Sequence, residues 1–327
     1  MKSAGRVSRA DWYVDRWTRA AESSGWQVLR RTGDALQLFD GCRSRWVKGP
    51  DVGLDLHVNF RIAGSGPLSS VLFSDAHIPV PPTSTHDVAR PAEIMRRIKR
   101  HPGSLVVKPA AGTGGGAGVT VGPRSTRTIL RSISDAAAQT RKVLLQEHVP
   151  GRVLRVLVLD GEVLDVVERR PASVRGDGSS TIRQLIAAEN ARRKSLGPLN
   201  TGFIRVGADC IAALERQDAT LSTKPANEES YTVAGCSNTG SERESTRIEI
   251  GQAARAMSAR AADAVGIRLA GVDLIIDDAG EPLAVLEVNG APGLHWHVLV
   301  DGTPFDPFTA ILAAASSPRT SAPQGQR

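Results

Sequence analysis

The residues best suited to chemistry in this 327-residue chain lie between Gly271 and Gly290, in the run GVDLIIDDAGEPLAVLEVNG. Two apolar stretches, VDLII and PLAVLEV, flank the turn DDAGE, which is a hairpin pattern. With the turn centred near Ala279 and Gly280, residues whose numbers sum to about 560 face each other, which sets Asp273 opposite Glu287. A period of two returns Asn289 to the face of Glu287. Two carboxylates and a carboxamide then converge from otherwise apolar strands. Such hard oxygen donors suit Mg²⁺ held together with substrate phosphates. Taken alone, the run also fits an acidic turn with a single cross-strand polar pair, so upstream segments have to decide between the two.

The first of these is LVVKPAAGTGGGAGVTVG at 105–122. Its glycines let backbone N–H groups approach phosphate oxygens with no Cβ in the way. No GK[ST] follows them, which excludes a Walker A loop. Gly112 to Ala117 matches a loose GxGxxA pattern, but VTVG alternates like a strand where a dinucleotide loop must open a helix. The better reading is a two-stranded flap whose tip, with Gly112, Gly114, Gly115, Gly116 and Gly118, folds over a triphosphate. Lys108, ending the first strand, is then a point charge on the phosphates; the alternative is a Gly-rich hairpin with a surface lysine. The second segment is QEHVPG at 146–151, a strand end where Gln146, Glu147 and Val149 can offer groups to an adenine edge, with Glu147 accepting from the exocyclic amine.

The elements that must position these residues alternate along the chain. Residues 1–85 mix short apolar runs with turns and end in the Pro-rich IPVPPTST. Helical character over 86–101, with Ile94, Met95 and Ile98 on one side, precedes strands at 104–108 and 119–122. A helix at 128–140 and a strand at 143–149 follow. Asp160-Gly161 is the turn of a second hairpin, and Ser179 or Ser180 is the expected cap of the helix TIRQLIAAENARRK. Residues 196–245 read as irregular, a long amphipathic helix covers 246–265, and the tail after Ala315 reads as disordered.

Composition narrows the classes. No apolar run approaches the roughly 18 residues of a membrane span, and the first residues lack the apolar core of a secretory signal. Cys42, Cys210 and Cys236 share no CxxC spacing, so free thiols in a cytoplasmic protein are expected. The net charge of +7 is read as scattered, densest in RRIKRH at 96–101 and ARRK at 191–194. Aromatic residues make up only 4% and do not cluster, so nucleic acid is not an expected partner; anionic ligands such as ATP or acidic peptides fit the charge.

In order and spacing, these segments resemble the ATP-grasp superfamily over about residues 80–300, most closely the ligase domain of cyanophycin synthetase and its relatives. VVKP…GGGAGV is similar to the phosphate flap, LLQEHVPGRVLRVLVLDGEVLDVVERRPASVRGDGSSTIRQLI to the hinge and the GDG–TI segment, and LAGVDLI…VLEVNGAPGLHWH to the metal-binding close. The resemblance implies an α/β (α+β) fold: a truncated N-terminal α/β subdomain (1–85), a flap subdomain (86–149), a C-terminal catalytic subdomain with the core sheet (150–315) and a tail (316–327). It implies a carboxylate–amine ligase that makes an acyl phosphate from ATP, acting on small-molecule or peptide carboxylates and amines. Asp273, Glu287 and Asn289 would hold two Mg²⁺ ions, with Mn²⁺ able to substitute. Arg169 would meet the acyl phosphate and tetrahedral oxygen, and Arg155 a phosphate or substrate carboxylate. Relatives of the fold commonly pair, which implies a homodimer. The second half of cyanophycin synthetases has no counterpart here, so that polymer is not the expected product.

Several positions depart from the pattern. Ser65-Gly66 stand where an Asp-Lys pair is usual, and Val153 where an acidic residue binds ribose. CSNTGS at 236–241, with Asn238, Thr239 and Gly240 as candidate substrate contacts, replaces an Asn and paired glycines. These losses leave open a nucleotide-binding regulator or pseudoenzyme of the same fold, and a small-molecule kinase is a third reading. His295 and His297, alternating with Trp296, are expected to share one face, either as metal or substrate contacts or as part of a loop packed near the site. Asn190 and Arg193, one turn apart, are either contacts for an acidic substrate or part of a solvated helix face.

Overall fold

The computed structural model describes residues 8–110, 116–196, 202–240, 245–298, 300 and 305–316. In chain order, α1 (Arg9–Ser23) leads into β1 (Gln27–Thr32), β2 (Ala35–Phe39) and β3 (Ser44–Lys48), then α2 (His57–Ala63) and α3 (Gly66–Asp75). The flap region follows as β4 (Thr83–Asp87), α4 (Pro91–Arg100), β5 (Leu105–Pro109), β6 (Thr120–Val121), α5 (Thr126–Ala137) and β7 (Lys142–Glu147). Next come β8 (Arg152–Leu159), β9 (Glu162–Arg169), β10 (Ser173–Arg175), α6 (Ile182–Ser195), α7 (Ala208–Glu215) and β11 (Ser230–Thr232). The last described elements are β12 (Ser245–Arg247), α8 (Gln252–Ala264), β13 (Leu269–Ile276), β14 (Pro282–Gly290), α9 (His295–Val298) and α10 (Phe308–Ser316). Among the described residues no helix is long and apolar enough to cross a membrane.

The centre is an antiparallel sheet ordered β12–β9–β8–β13–β14. Every residue of β13, LAGVDLII, is buried, because the strand runs mid-sheet with both faces covered. Val156, Val158, Val272 and Leu274 pack against Ala254, Ala261 and Ala262 of α8, while Leu157, Leu159 and Leu269 meet Trp12, Trp17 and Phe308. The β8–β9 turn has Asp160 and Gly161 at φ 50° and 86°, the left-handed pair that a two-residue hairpin demands. A second antiparallel sheet, β4–β7–β5–β6, carries the flap; α4 and α5 cover its far face through Ile94, Ile98, Ile129 and Ile133.

Several boundaries differ from those expected, for local reasons. Residues 83–87 pair with β7 as a strand, and α4 starts only at Pro91, since a residue before proline is disfavoured in the helical region. Thr181 caps α6 in a capping box with Gln184, while the backbone N–H groups of Ser179 and Ser180 are drawn to the Asp177 carboxylate at 2.9 and 2.6 Å. The stretch read as irregular contains α7 and β11. Ser245–Arg247 extends the core sheet beside β9, so the following helix begins only at Gln252. Of the tail, Ser316 ends α10 and 317–327 lie outside the described residues.

Trp17 joins the N-terminal layer to the core. It is 1% exposed, stacks edge-on against Phe308 at 4.5 Å, and donates its indole N–H to Gly49 O at 2.7 Å. Trp17→Ala is expected to cost about 3–5 kcal/mol of unfolding free energy, read as a lower urea midpoint.

Candidate active site

The register of the core sheet pairs Arg155 with Asp273 and Asp273 with Glu287. Directly opposed residues share a face, so the three side chains form one row across β8, β13 and β14. Asn289 and Arg169 join that face by the period of two, the latter because Val167 stands opposite Arg155. Arg155 binds Asp273 with two parallel bonds, Nε to Oδ1 at 2.5 Å and Nη2 to Oδ2 at 3.0 Å, and both side chains are buried. Two donors of Arg155 are thereby spent on Asp273, while the side chain still lines the cavity. Asn289 donates Nδ2 to Glu287 Oε1 at 3.0 Å, which leaves its amide oxygen available.

Glu287 lines the cavity and is exposed to it, with protein packed around the rest of the side chain. Burial pushes its pKa up, and the neighbouring Asp273 charge and hydrogen bond add to this, while Asn289 and Arg155 pull it down. Among the described residues no three His, Cys, Asp or Glu side chains cluster as a metal site. Here the donor set is two carboxylates, one already shared with Arg155, and an amide oxygen. Two carboxylates close enough to share a proton fit a divalent cation, which would relieve their repulsion better than the proton does.

A cavity of about 1150 Å³ joins this row to the flap. Lys108, Gly116, Gly118 and Gln146 line it from the flap sheet, and Arg155, Arg169, Glu287 and Asn289 from the core sheet. Lys108 Nζ donates to Gln146 Oε1 at 3.1 Å, and Gln146 Nε2 donates to Thr83 Oγ1 at 3.0 Å. Burial lowers the Lys108 pKa, with the Glu287 charge acting against it. Gly116 and Gly118 have φ of 73° and 75°; a Cβ on Gly116 would lie 2.7 Å from Cys236 Sγ. Gly112, Gly114 and Gly115 lie outside the described residues. Alternation turns Glu147 away from the face of Lys108 and Gln146 and toward α4, where Oε1 meets His101 Nε2 at 3.3 Å. Its expected place at an adenine edge is not realised by this side chain, and neither it nor Val149 is among the described cavity-lining residues.

Arg169 is 5% exposed, lies over the Trp296 ring at 4.7 Å and donates to Asn238 Oδ1 at 2.8 Å. Burial, and then the Arg155 charge, bring its pKa down to about 10. It has no carboxylate partner among the described residues. Asn238 and Thr239 line the cavity; Gly240 N–H instead closes the turn onto Ser237 O. Neither Arg193 nor Asn190 contacts the cavity: Arg193 is fully buried, bonds Glu189 at 2.8 Å and Thr239 O at 2.6 Å, and also donates to Gly202 O. Asn190 exchanges two 2.9 Å bonds with the Ile204 backbone. Arg193, through Thr239 O, holds the backbone beside Asn238. His295 and His297 sit on the short helix α9. His295 lines the cavity, Tyr13 OH contacts its Nδ1 at 3.3 Å, and burial lowers its pKa to about 3; His297 pairs with Asp165 at 2.7 Å.

One residue carried no signal in the sequence. Asp209, in the first turn of α7, accepts from the backbone N–H groups of Val121 (3.0 Å), Gly235 (2.8 Å) and Cys236 (3.1 Å). It ties the flap to the loop that holds Asn238. Of the departures noted in the sequence, Gly66 lines the cavity beside Leu144, while Val153 faces Ile275 in the core sheet and is not among the described lining residues.

No protein-family model matches the chain. Cyanophycin synthetase of Synechocystis sp. is 30% identical over 243 residues, 70% of this chain and 27% of that protein. The glutathione biosynthesis bifunctional protein GshAB of Streptococcus mutans is 29% identical over 312 residues, 90% of this chain and 41% of that one. A bifunctional glutathione synthetase from Pasteurella multocida has the same fold, with a TM-score of 0.56 and 21% identity over 93% of this chain and 43% of the other. The chain resembles ligases of the ATP-grasp superfamily and has their fold. It spans about a quarter to two fifths of the length of these relatives. The ATP-grasp fold accounts for the two antiparallel sheets facing each other across one cleft.

The raised Glu287 pKa fixes a sign. The folded protein holds this proton more tightly than the unfolded chain, so the associated stability is full below the ordinary carboxylate range and is lost as pH rises through the raised value. In EDTA at pH 8, Glu287→Gln should therefore melt slightly higher than the parent. The gap should close in acid, as followed by circular dichroism.

Proposed function

We propose that the chain is an ATP-dependent carboxylate–amine ligase that forms an amide or peptide bond through an acyl phosphate, with ADP and phosphate as products. The observation that carries this reading is the single cavity that brings Lys108 of the flap to the acidic row and to Arg169. Lys108 supports the triphosphate as a point charge. Asp273, Glu287 and Asn289 would hold Mg²⁺, two ions or Mn²⁺ in their place; when bound, the metal neutralises the triphosphate and orients in-line transfer.

The substrate carboxylate attacks the γ-phosphorus and the bond to the ADP oxygen breaks. The amine then attacks the acyl carbon, loses a proton, and phosphate leaves from the tetrahedral intermediate. Arg169, desolvated and without a carboxylate partner among the described residues, is suited to the oxyanion that develops at each stage. Arg155 acts through Asp273, which it orients by its two bonds. Adenine would meet the backbone at Val149, because the Glu147 N–H is taken by Pro82 O at 2.9 Å. Asn238 and Thr239 face the substrate side of the cleft.

We read residues 1–85, 86–149 and 150–315 as three subdomains, the first boundary falling within β4. A cytoplasmic homodimer accords with this reading and with three free thiols. The test is ADP and phosphate release with Mg²⁺-ATP across pools of amino acids and dipeptides, with hydroxylamine as surrogate amine. Hydroxamate in one pool is the expected outcome; phosphate transfer to a product that resists hydroxylamine would make the protein a kinase, and ATP binding with no turnover in any pool would make it a regulator.

Two variants separate the parts. Lys108→Ala should weaken ATP binding at least about tenfold with the acidic row intact, and unchanged affinity in calorimetry would return that lysine to a surface role. Glu287→Gln should remove turnover by at least about a hundredfold while the fold persists, so retained activity would refute the metal assignment.

A further inference from the structure

The positive charge of this chain is not scattered once the fold is known. Residues 86–149 carry eleven Lys and Arg against four Asp and Glu, a net of +7 that equals the formal charge of the whole chain. The remaining residues are therefore neutral in sum. Ten of the eleven cations are exposed; Lys108, in the cleft, is the exception. Many gather where α4 and α5 lie side by side over the flap sheet: Arg96, Arg97, Lys99 and Arg100 on α4, and Arg127 and Arg131 on α5, preceded by Arg124. Lys99 Nζ reaches Thr126 Oγ1 at 2.7 Å, so the two groups meet in one patch.

Helix stability does not explain this arrangement. Cations in the last turn of α4 complement its dipole, but Arg124 and Arg127 stand at the start of α5, where positive charge is unfavourable. Like charges on the two helices also repel. Little offsets this within the fold: Glu93 takes Arg90 at 3.7 Å, Arg131 donates to Val206 O at 3.2 Å, and Arg96, Arg97, Arg100 and Arg127 have no carboxylate partner among the described residues.

We propose that the outer α4–α5 face docks an acidic polypeptide segment, a run of Asp and Glu side chains. Arginine outnumbers lysine eight to three in 86–149, and its fork matches carboxylates with two parallel bonds. The region contains no Phe, Tyr or Trp, so it lacks a stacking platform for single-stranded nucleic acid. Leu130 is its only exposed large hydrophobic residue among those described, too little to anchor in a bilayer. The preference for a carboxylate-rich chain over a nucleic-acid duplex rests on the ligase reading above, in which carboxylates are the groups the protein must recognise, although the patch lies on the side of the flap sheet away from the cleft.

The test is fluorescence anisotropy of a labelled ten-residue glutamate peptide, without ATP, so that it is independent of turnover. The full-length protein should bind it in a salt-sensitive way, and Arg96→Glu/Arg100→Glu/Arg127→Glu should weaken binding at least about tenfold. Arg127→Glu alone should weaken binding while its melting temperature does not fall, since an acid suits that helix end; this separates lost docking from lost fold. Equal binding by the parent and the triple variant, or no binding at low salt, would overturn the site. Tighter binding of an equally charged DNA duplex or of phosphatidylserine vesicles would overturn the assignment of the partner.

Discussion

The paired bonds between Arg155 and Asp273 are the constraint on which the rest of the cleft depends. A guanidinium and a carboxylate buried mid-sheet each carry a desolvation cost that only good geometry offsets, and removing either one leaves the other uncompensated. The antiparallel register supplies that geometry, because it sets the two residues directly opposite each other. Glu287 is then the next member of the row, with only Asn289 and the shared Asp273 to satisfy it. A sheet this apolar tolerates the row because the row opens onto the cleft at one end.

Much of this site was legible in the sequence. A turn with identifiable centre residues and a strict period of two fix cross-strand partners, so Asp273 and Glu287 could be matched from residue types alone. The flap was legible for a similar reason: glycines at left-handed φ leave their mark where a Cβ would collide, as at Gly116 and Gly118. What failed was any feature set by tertiary contact. Nothing local marks Asp209 as a bridge or Arg193 as a fully buried post, because their partners lie on other elements or far along the chain. Glu147 was misassigned because a strand end was read without its pairing, and the pairing decides which side chains face the cleft.

The charge distribution shows the same limit. Composition gave a net sign but not its location, and only the packing of α4 against α5 turned separate arginines into one face. The flap sheet thus has two chemically different sides, a cleft side with Lys108 and Gln146 and a helix-covered side whose exterior is strongly basic.

The Asp209 bridge bears on how a ligand gets in. One carboxylate holds the returning strand of the flap and the loop before Asn238 through three backbone N–H groups. The base of the flap is thereby fastened to the opposite wall of the cleft. It cannot swing as a hinged door without breaking either the Val121 bond or the two bonds to the loop. Opening the cleft at this end therefore means leaving a buried carboxylate short of donors, so the wall and the base of the flap behave as one piece.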